Sequence, residues 1–313
     1  MADTLSSSPC HIWWHSFVGH NADDGKPKSF YVEFYLCNPG SGGPKPVFGQ
    51  SRASKSAGVK PSYLMVNAGS WGDDHSHIHR FYGCCRAEID GGSPFSISAG
   101  ECFLTDDATR GSVSVTPDEA SGCRDRMSGS GSMSWSLVID RGVGTSYRGE
   151  VIWNGERYIV DPSRCCGYAD CLSTMDLPFV RLFSSSLKGE SSGGKVRGAS
   201  FEFRSAGGLK FQLPAGGRWF RSGGPFCRTV AECREATRII VWHIEQRRLF
   251  SRLVLDVSCR KRDMLLMGHE TPDGRKVGRH WSGGTGTGTL TLYRFGREIK
   301  KLRADNIFCD YAK

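Results

Sequence analysis

The sequence has no run of roughly 20 apolar residues, so no transmembrane helix is expected. It has no sustained 3.6-residue apolar periodicity either, which argues against a helical architecture. Met1 to Cys10 lacks a positive segment followed by an apolar one, so no signal peptide is expected. The 13 cysteines are odd in number and scattered through apolar runs, and neither Cys84-Cys85 nor Cys165-Cys166 joins a second pair at zinc-like spacing. That pattern suits free thiols in a reducing compartment, with the cytosol as default; metal binding by Cys165, Cys166 and Cys171 is the alternative. A dense basic arm is missing despite a net charge of +9. Arg247-Arg248, Arg260-Lys261-Arg262 and the basic residues of Arg297 to Arg303 alternate with core-like apolar positions, as on the wetted face of a sheet. No nucleic-acid partner is therefore expected, because a basic pI alone speaks to solubility and nonspecific attraction.

What is abundant is glycine, 40 of 313 residues against a usual ~7%, dispersed among short apolar runs. Such a chain has many turns between many strands. Ser29 to Asn38 alternates cleanly: Tyr31, Glu33 and Tyr35 share one face, and Phe30, Val32, Phe34 and Leu36 share the other. Glu33 either points into a barrel between its two tyrosines or faces water. Pro39 to Lys60 reads as a long loop. His75, His77 and His79 alternate at a hairpin end, a spacing that hydrated histidines or a metal site would both fit. Asp118 to Gly131 reads as a polar loop. In Arg238 to Gln246, Ile240, Trp242 and Ile244 share one face and Val241, His243 and Glu245 the other.

Val151 to Trp153 and Arg157 to Val160 form a hairpin across Asn154-Gly155, a dipeptide suited to a type I′ turn. Beyond it the chain is expected to leave the sheet through Pro162 and Gly167, presenting Tyr168 and Asp170 two residues apart. A proton donor beside an aromatic ring is a minimal kit for acid chemistry on an apolar substrate. The run Gly283-Gly284-Thr285-Gly286-Thr287-Gly288-Thr289 leads into a β-rich segment rather than a helix, so it reads as a tightly curved strand and not a phosphate loop.

Fourteen to sixteen short strands fit a sandwich or barrel class. The expected fold is all-β, two antiparallel β-barrels in succession, residues 1–190 and 191–313, with one large sandwich as the alternative.

Taken together, Trp14-His15-Ser16-Phe17, Phe30 to Pro39, Lys60 to Val66, Gly149 to Val160, Gly167-Tyr168-Ala169-Asp170, Ile240 to His243 and Gly283 to Tyr293 resemble the tocopherol cyclase-like family. That family belongs to a wider group of lipocalin-like two-domain proteins that includes carotenoid hydratases. The resemblance implies two lipocalin-like barrels and an isomerase that protonates an isolated prenyl double bond, the cation then being captured by a phenol to close a chromanol ring. It implies Asp170 as proton donor and Tyr168 as its orienting or relay group, with Glu33, Tyr31, Tyr35, Trp153, Trp242 and His243 around the substrate. No metal and no cofactor are implied. The partner is an apolar small molecule, peripheral contact with a membrane staying open. The chain departs from the family at Cys171-Leu172-Ser173-Thr174, where Lys-Asn-Trp-Gly is expected, and in the short segment between Asp140 and Tyr147. A carrier of an isoprenoid or other apolar molecule, without catalysis, is the competing reading.

Overall fold

A computed structural model describes residues 10–37, 62–72, 76–83, 86–122, 128–141, 145–164, 167–172, 179–190, 193–194, 196, 198–205, 208–213, 227–270 and 276–312. The chain divides into two compact units. One comprises Met1–Ser70, Asp74–Asp176 and Met267–Arg279, the other Trp71–Asp73, Leu177–Leu266 and His280–Lys313. Among the described residues no helix is long and apolar enough to cross a membrane.

The first sheet has 12 strands: β1 (Cys10–Asn21), β2 (Pro27–Cys37), β3 (Tyr63–Trp71), β4 (Ser76–Gly83), β5 (Ala87–Asp90), β6 (Ser96–Ala99), β7 (Cys102–Thr105), β8 (Ala108–Val115), β9 (Gly131–Asp140), β10 (Ser146–Trp153), β11 (Glu156–Val160) and β12 (Tyr168–Leu172). Its order is β4-β3-β2-β1-β11-β10-β9-β8-β7-β6-β5, with β12 also on β1. The sheet curls until β4 approaches β8: Arg80 donates to the Ser114 carbonyl and pairs with Glu119 at 3.4 Å. The result is a nearly closed antiparallel, lipocalin-like barrel.

Alternation builds its interior. In β9, Met133, Trp135, Leu137 and Ile139 are buried while Ser132, Ser136, Val138 and Asp140 lean outward. They join Phe30, Val32, Phe34 and Leu36 from β2 in one apolar cluster. The Asn154-Gly155 turn is as expected, with φ of 50° and 86°. The loop expected over Asp118 to Gly131 instead begins inside a helical turn, Pro117–Gly122. A reciprocal cap starts it: the Glu119 amide donates to Thr116 Oγ1 and the Thr116 amide to Glu119 Oε2.

The second sheet has 10 strands: β13 (Phe179–Ser184), β14 (Leu187–Gly189), β15 (Ser200–Arg204), β16 (Gly208–Gln212), β17 (Arg228–Glu235), β18 (Ile239–Arg248), β19 (Ser251–Arg260), β20 (Leu265–Glu270), β21 (Lys276–Arg294) and β22 (Arg297–Ala312). Its order is β16-β15-β13-β22-β21-β19-β18-β17, with β14 on β22 and β20 on β21. Gln246 of β18 reaches across to the Leu209 amide of β16 at 3.0 Å, drawing this second antiparallel sheet towards closure. Because β13 and β14 both pair with β22, the units divide at Asp176/Leu177, whereas the sequence placed the change of domain at 190/191. The glycine run lies in β21 as a strand. At Gly288 a Cβ would come within 2.4 Å of the Asp256 carbonyl, which is the close backbone approach that glycine permits.

Candidate functional site

Strand β1 has two partners over the same residues, β2 on one side and β12 on the other. This corrects the expectation that the chain leaves the sheet before Tyr168. The segment Tyr168–Leu172 pairs with Ile12 to Ser16 instead, so the tyrosine and the aspartate sit on a strand. Three groups pin it there. Tyr147 Oη donates to the Tyr168 carbonyl at 3.1 Å, Ser16 Oγ donates to the same oxygen at 3.4 Å, and His15 Nδ1 lies 2.9 Å from Tyr147 Oη. Since the Tyr147 proton goes to the carbonyl, His15 donates from Nδ1. Burial, with Arg141 adding repulsion, pushes the His15 imidazole down to about 3, which keeps it neutral.

The register gathers the carboxylates. Trp14 of β1 stands opposite Glu33 of β2 and opposite Asp170 of β12, and side chains opposite each other in a sheet share a face. Strands lie ~4.8 Å apart, so the two acids flank the indole at about 10 Å from one another. The row continues through Asn67 of β3, whose Nδ2 donates to Glu33 Oε2 at 2.5 Å, to His79 of β4, register partner of Asn67. The neighbouring row holds Tyr168, Ser16, Tyr31 and, on β4, His77. Tyr31 stacks on Trp14 with ring centres 4.9 Å apart and planes within 3°. Gly69 leaves space for that ring, since a Cβ there would come within 2.9 Å of Tyr31 Oη. Tyr35 continues the face into a small apolar cluster with Cys10, Ile12, Cys37, Tyr63 and Met65.

Glu33 is 1% exposed, so it neither faces water nor joins the main core, whose side chains occupy the other face of β2. Both faces of this strand are buried, and the alternation read from the sequence separates an apolar face from an acid–aromatic one. Tyr31 and Tyr35 remain phenols: burial raises both well above the usual range. Asp170 differs from Glu33. It is half-buried, and its oxygens accept from Tyr168 Oη at 3.1 Å and from the Cys171 amide at 2.9 Å.

The remaining expected residues lie elsewhere. Trp153 belongs to the main core of the first unit, edge-on to Phe30 at 6.3 Å and therefore on the face away from Glu33. Trp242 and His243 belong to the second unit, on opposite faces of β18. Trp242 is buried against Tyr311 at 6.1 Å, whereas His243 pairs with Asp256 at 2.6 Å on the outer face. His77 and His79 share a face with ring centres 5.6 Å apart, while His75, Cys165, Cys166 and the loop expected over Pro39 to Lys60 lie outside the described residues. Among the described residues no group of three or more His, Cys, Asp or Glu is placed to hold a metal. Sequence reading missed Trp14 and Asn67 as partners of Glu33. Their contacts depend on register across strands far apart in sequence, and no short motif records that.

No protein-family model matches the chain, and no curated protein matches it. Among solved structures it is similar to the crystal structure of a protein from Nitrosomonas europaea described as a candidate AttH. The TM-score is 0.40 and the identity 9%, over 96% of this chain and 91% of that one.

Proposed function

We propose that the first unit is an acid isomerase of the tocopherol cyclase kind. It holds a prenylated phenol against the acid–aromatic face, and Glu33 protonates the isolated double bond. The observation that carries this reading is the buried Glu33 carboxyl, fixed by Asn67 and set among Trp14, Tyr31 and Tyr35. A carboxyl shielded from bulk water and fixed beside an apolar substrate is placed for general acid catalysis. Oε2 accepts from Asn67 Nδ2, and the carboxyl supplies the transferable proton. It adds to the alkene carbon that leaves the tertiary cation, and the indole of Trp14 and the ring of Tyr31 present the faces that attract positive charge. The phenol oxygen then attacks the cation and releases its proton. Asp170, across the indole and open to water, takes that proton with Tyr168 as relay. One C–O bond and one C–H bond form, one C=C and one O–H bond are lost, and the reaction needs no co-reactant.

Relative to the sequence expectation, this reading moves the proton donor from Asp170 to Glu33, which was expected around the substrate. Asp170 is half-exposed with its oxygens already accepting hydrogen bonds, a poor position from which to protonate an alkene. Free thiols at Cys102, Cys259 and Cys309 suit a reducing compartment such as the cytosol.

The test is turnover of a prenylated phenol in heavy water. One deuterium should enter the product at the protonated carbon. Glu33→Gln should lower the rate by about 10²–10⁴-fold while ligand affinity holds, because general acid catalysis supplies that much. Asp170→Asn should cost less. If the wild type binds the phenol and returns it unchanged and undeuterated, the protein is a carrier and the enzymatic reading fails.

A further inference from the structure

Two hairpin turns of the second unit meet side by side at one end of its sheet. The β18–β19 turn is Leu249-Phe250, between the register partners Arg248 and Ser251. The β21–β22 turn is Phe295-Gly296, between the register partners Arg294 and Arg297. Strand β19 pairs with β21 so that Ser251 faces Arg294, and the Phe295 amide donates to the Phe250 carbonyl at 2.8 Å, tying one turn to the other.

Both turns carry the wrong residues for a wetted surface. Leu249, Phe250 and Phe295 are 65%, 59% and 67% exposed, although two-residue turns ordinarily carry Gly, Asn or Asp. Phe295 is held at φ 49° beside Gly296 at φ 78°, a type I′ pair in which a bulky side chain at the first position is disfavoured. Strain of this kind points to a use. Here it turns the Phe295 ring out beside the Phe250 ring, with centres 5.2 Å apart.

Around this apolar tip is a basic collar. Residues 245–252 and 293–298 together contain five arginines and two glutamates. Arg252 lies over the Tyr293 ring at 4.2 Å and Arg294 over Phe295 at 5.6 Å. Glu245 is spent on Arg247 and Arg252, which leaves Glu298 as the other acid at the tip. Between the turns lies an open depression of about 480 Å³ lined by Arg247, Arg248, Arg252, Tyr293 and Phe295.

We propose that this double hairpin tip docks the protein on an anionic phospholipid surface. Leu249, Phe250 and Phe295 enter the boundary between headgroups and acyl chains, and the arginines lie against the phosphates. Apolar residues ringed by cations are what such an interface selects, because each part meets its complement at its own depth. A protein partner of ordinary size would need a broad flat patch, and three side chains on two turns form a point instead. This inference stands independently of the chemistry assigned to the first unit.

The full chain should float with phosphatidylcholine vesicles containing phosphatidylserine, roughly three to one, and not with phosphatidylcholine alone, binding more weakly as salt rises. Arg294→Ser and Arg297→Ser should each weaken partition by about fivefold. Leu249→Ser with Phe250→Ser should abolish it. Phe295→Asn should reduce binding while melting at or above the wild-type temperature, since asparagine accepts positive φ, so loss of binding cannot be mistaken for unfolding. Phe295→Trp should show a blue shift of tip emission when vesicles are added. Failure of the wild type to float, binding that ignores the tip substitutions, or an unmoved tryptophan emission would each overturn the proposal. Tip-dependent binding of single-stranded nucleic acid in place of vesicles would reassign the surface.

Discussion

At the scale of single residues, His15 gives the sharpest handle on the first unit. Its folded value, about 3, lies below the ordinary 6.5. A depressed value means that the unfolded chain takes up the proton first. The contribution to stability is therefore complete above pH 6.5 and is lost as pH falls towards 3, with a slope of about 1.4 kcal/mol per pH unit. Between pH 7 and pH 5 the loss from this one group is about 2 kcal/mol. Urea unfolding of the wild type and of His15→Gln at the two pH values should show the variant less stable at pH 7 but losing less on acidification. Equal losses in both proteins would mean that His15 does not govern the acid limb. The sequence marked this residue only as part of Trp14-His15-Ser16-Phe17, since it gains its role from Tyr147, 132 positions away. Glu33 was legible as an oddity, a carboxylate between two tyrosines on a strand. Its partner Asn67 was not, because it lies 34 positions away on another strand and no short motif records a register over that distance.

At the scale of strands, the sequence announced most elements through period-two alternation and turn chemistry, and the hairpin at Asn154-Gly155 is the clearest case. Partners were harder to read. Pro162 and Gly167 suggested an exit from the sheet, yet Tyr168–Leu172 pairs with β1 and the Tyr147 hydroxyl donates to the Tyr168 carbonyl. A proline breaks a strand locally and says nothing about where the next one docks. The seam between β13 and β22 carries a different lesson. Arg181 and Asp310 are register partners and form a buried ion pair at 2.9 Å, with 10% and 5% of their side chains exposed. Removing one member leaves the other charge in a medium that does not solvate it. Asp310→Asn should therefore lower stability by about 3–5 kcal/mol, and Arg181→Met with Asp310→Leu should recover most of that loss. A single variant within 1 kcal/mol of wild type, roughly the worth of an exposed pair, would show that water reaches the seam.

At the scale of the whole chain, length and glycine content indicated an all-β chain with two barrels, and the two nearly closed antiparallel sheets, each with a large apolar cluster, agree with it. The position of the division was less legible, since Lys188 to Gly198 has linker composition while β13 and β14 before it are committed to β22 by pairing that only the fold displays. The cysteines make the consequence measurable. Among the described residues Cys10, Cys37 and Cys102 are buried in the first unit and Cys259 and Cys309 in the second, whereas Cys171 and Cys233 are exposed. Burial raises the Cys102 and Cys309 thiols, so both buried reporters are slow to react for chemical as well as steric reasons. In a short alkylation pulse across a urea series, Cys233 should be modified without denaturant. Cys102 and Cys309 should become reactive at separate midpoints, because each belongs to an apolar cluster of its own and a cooperative unit is the set of contacts that melts together. Coincident midpoints would mean that the two cores unfold as one, and the stability changes argued for His15 and Asp310 would then shift both thiols instead of one each.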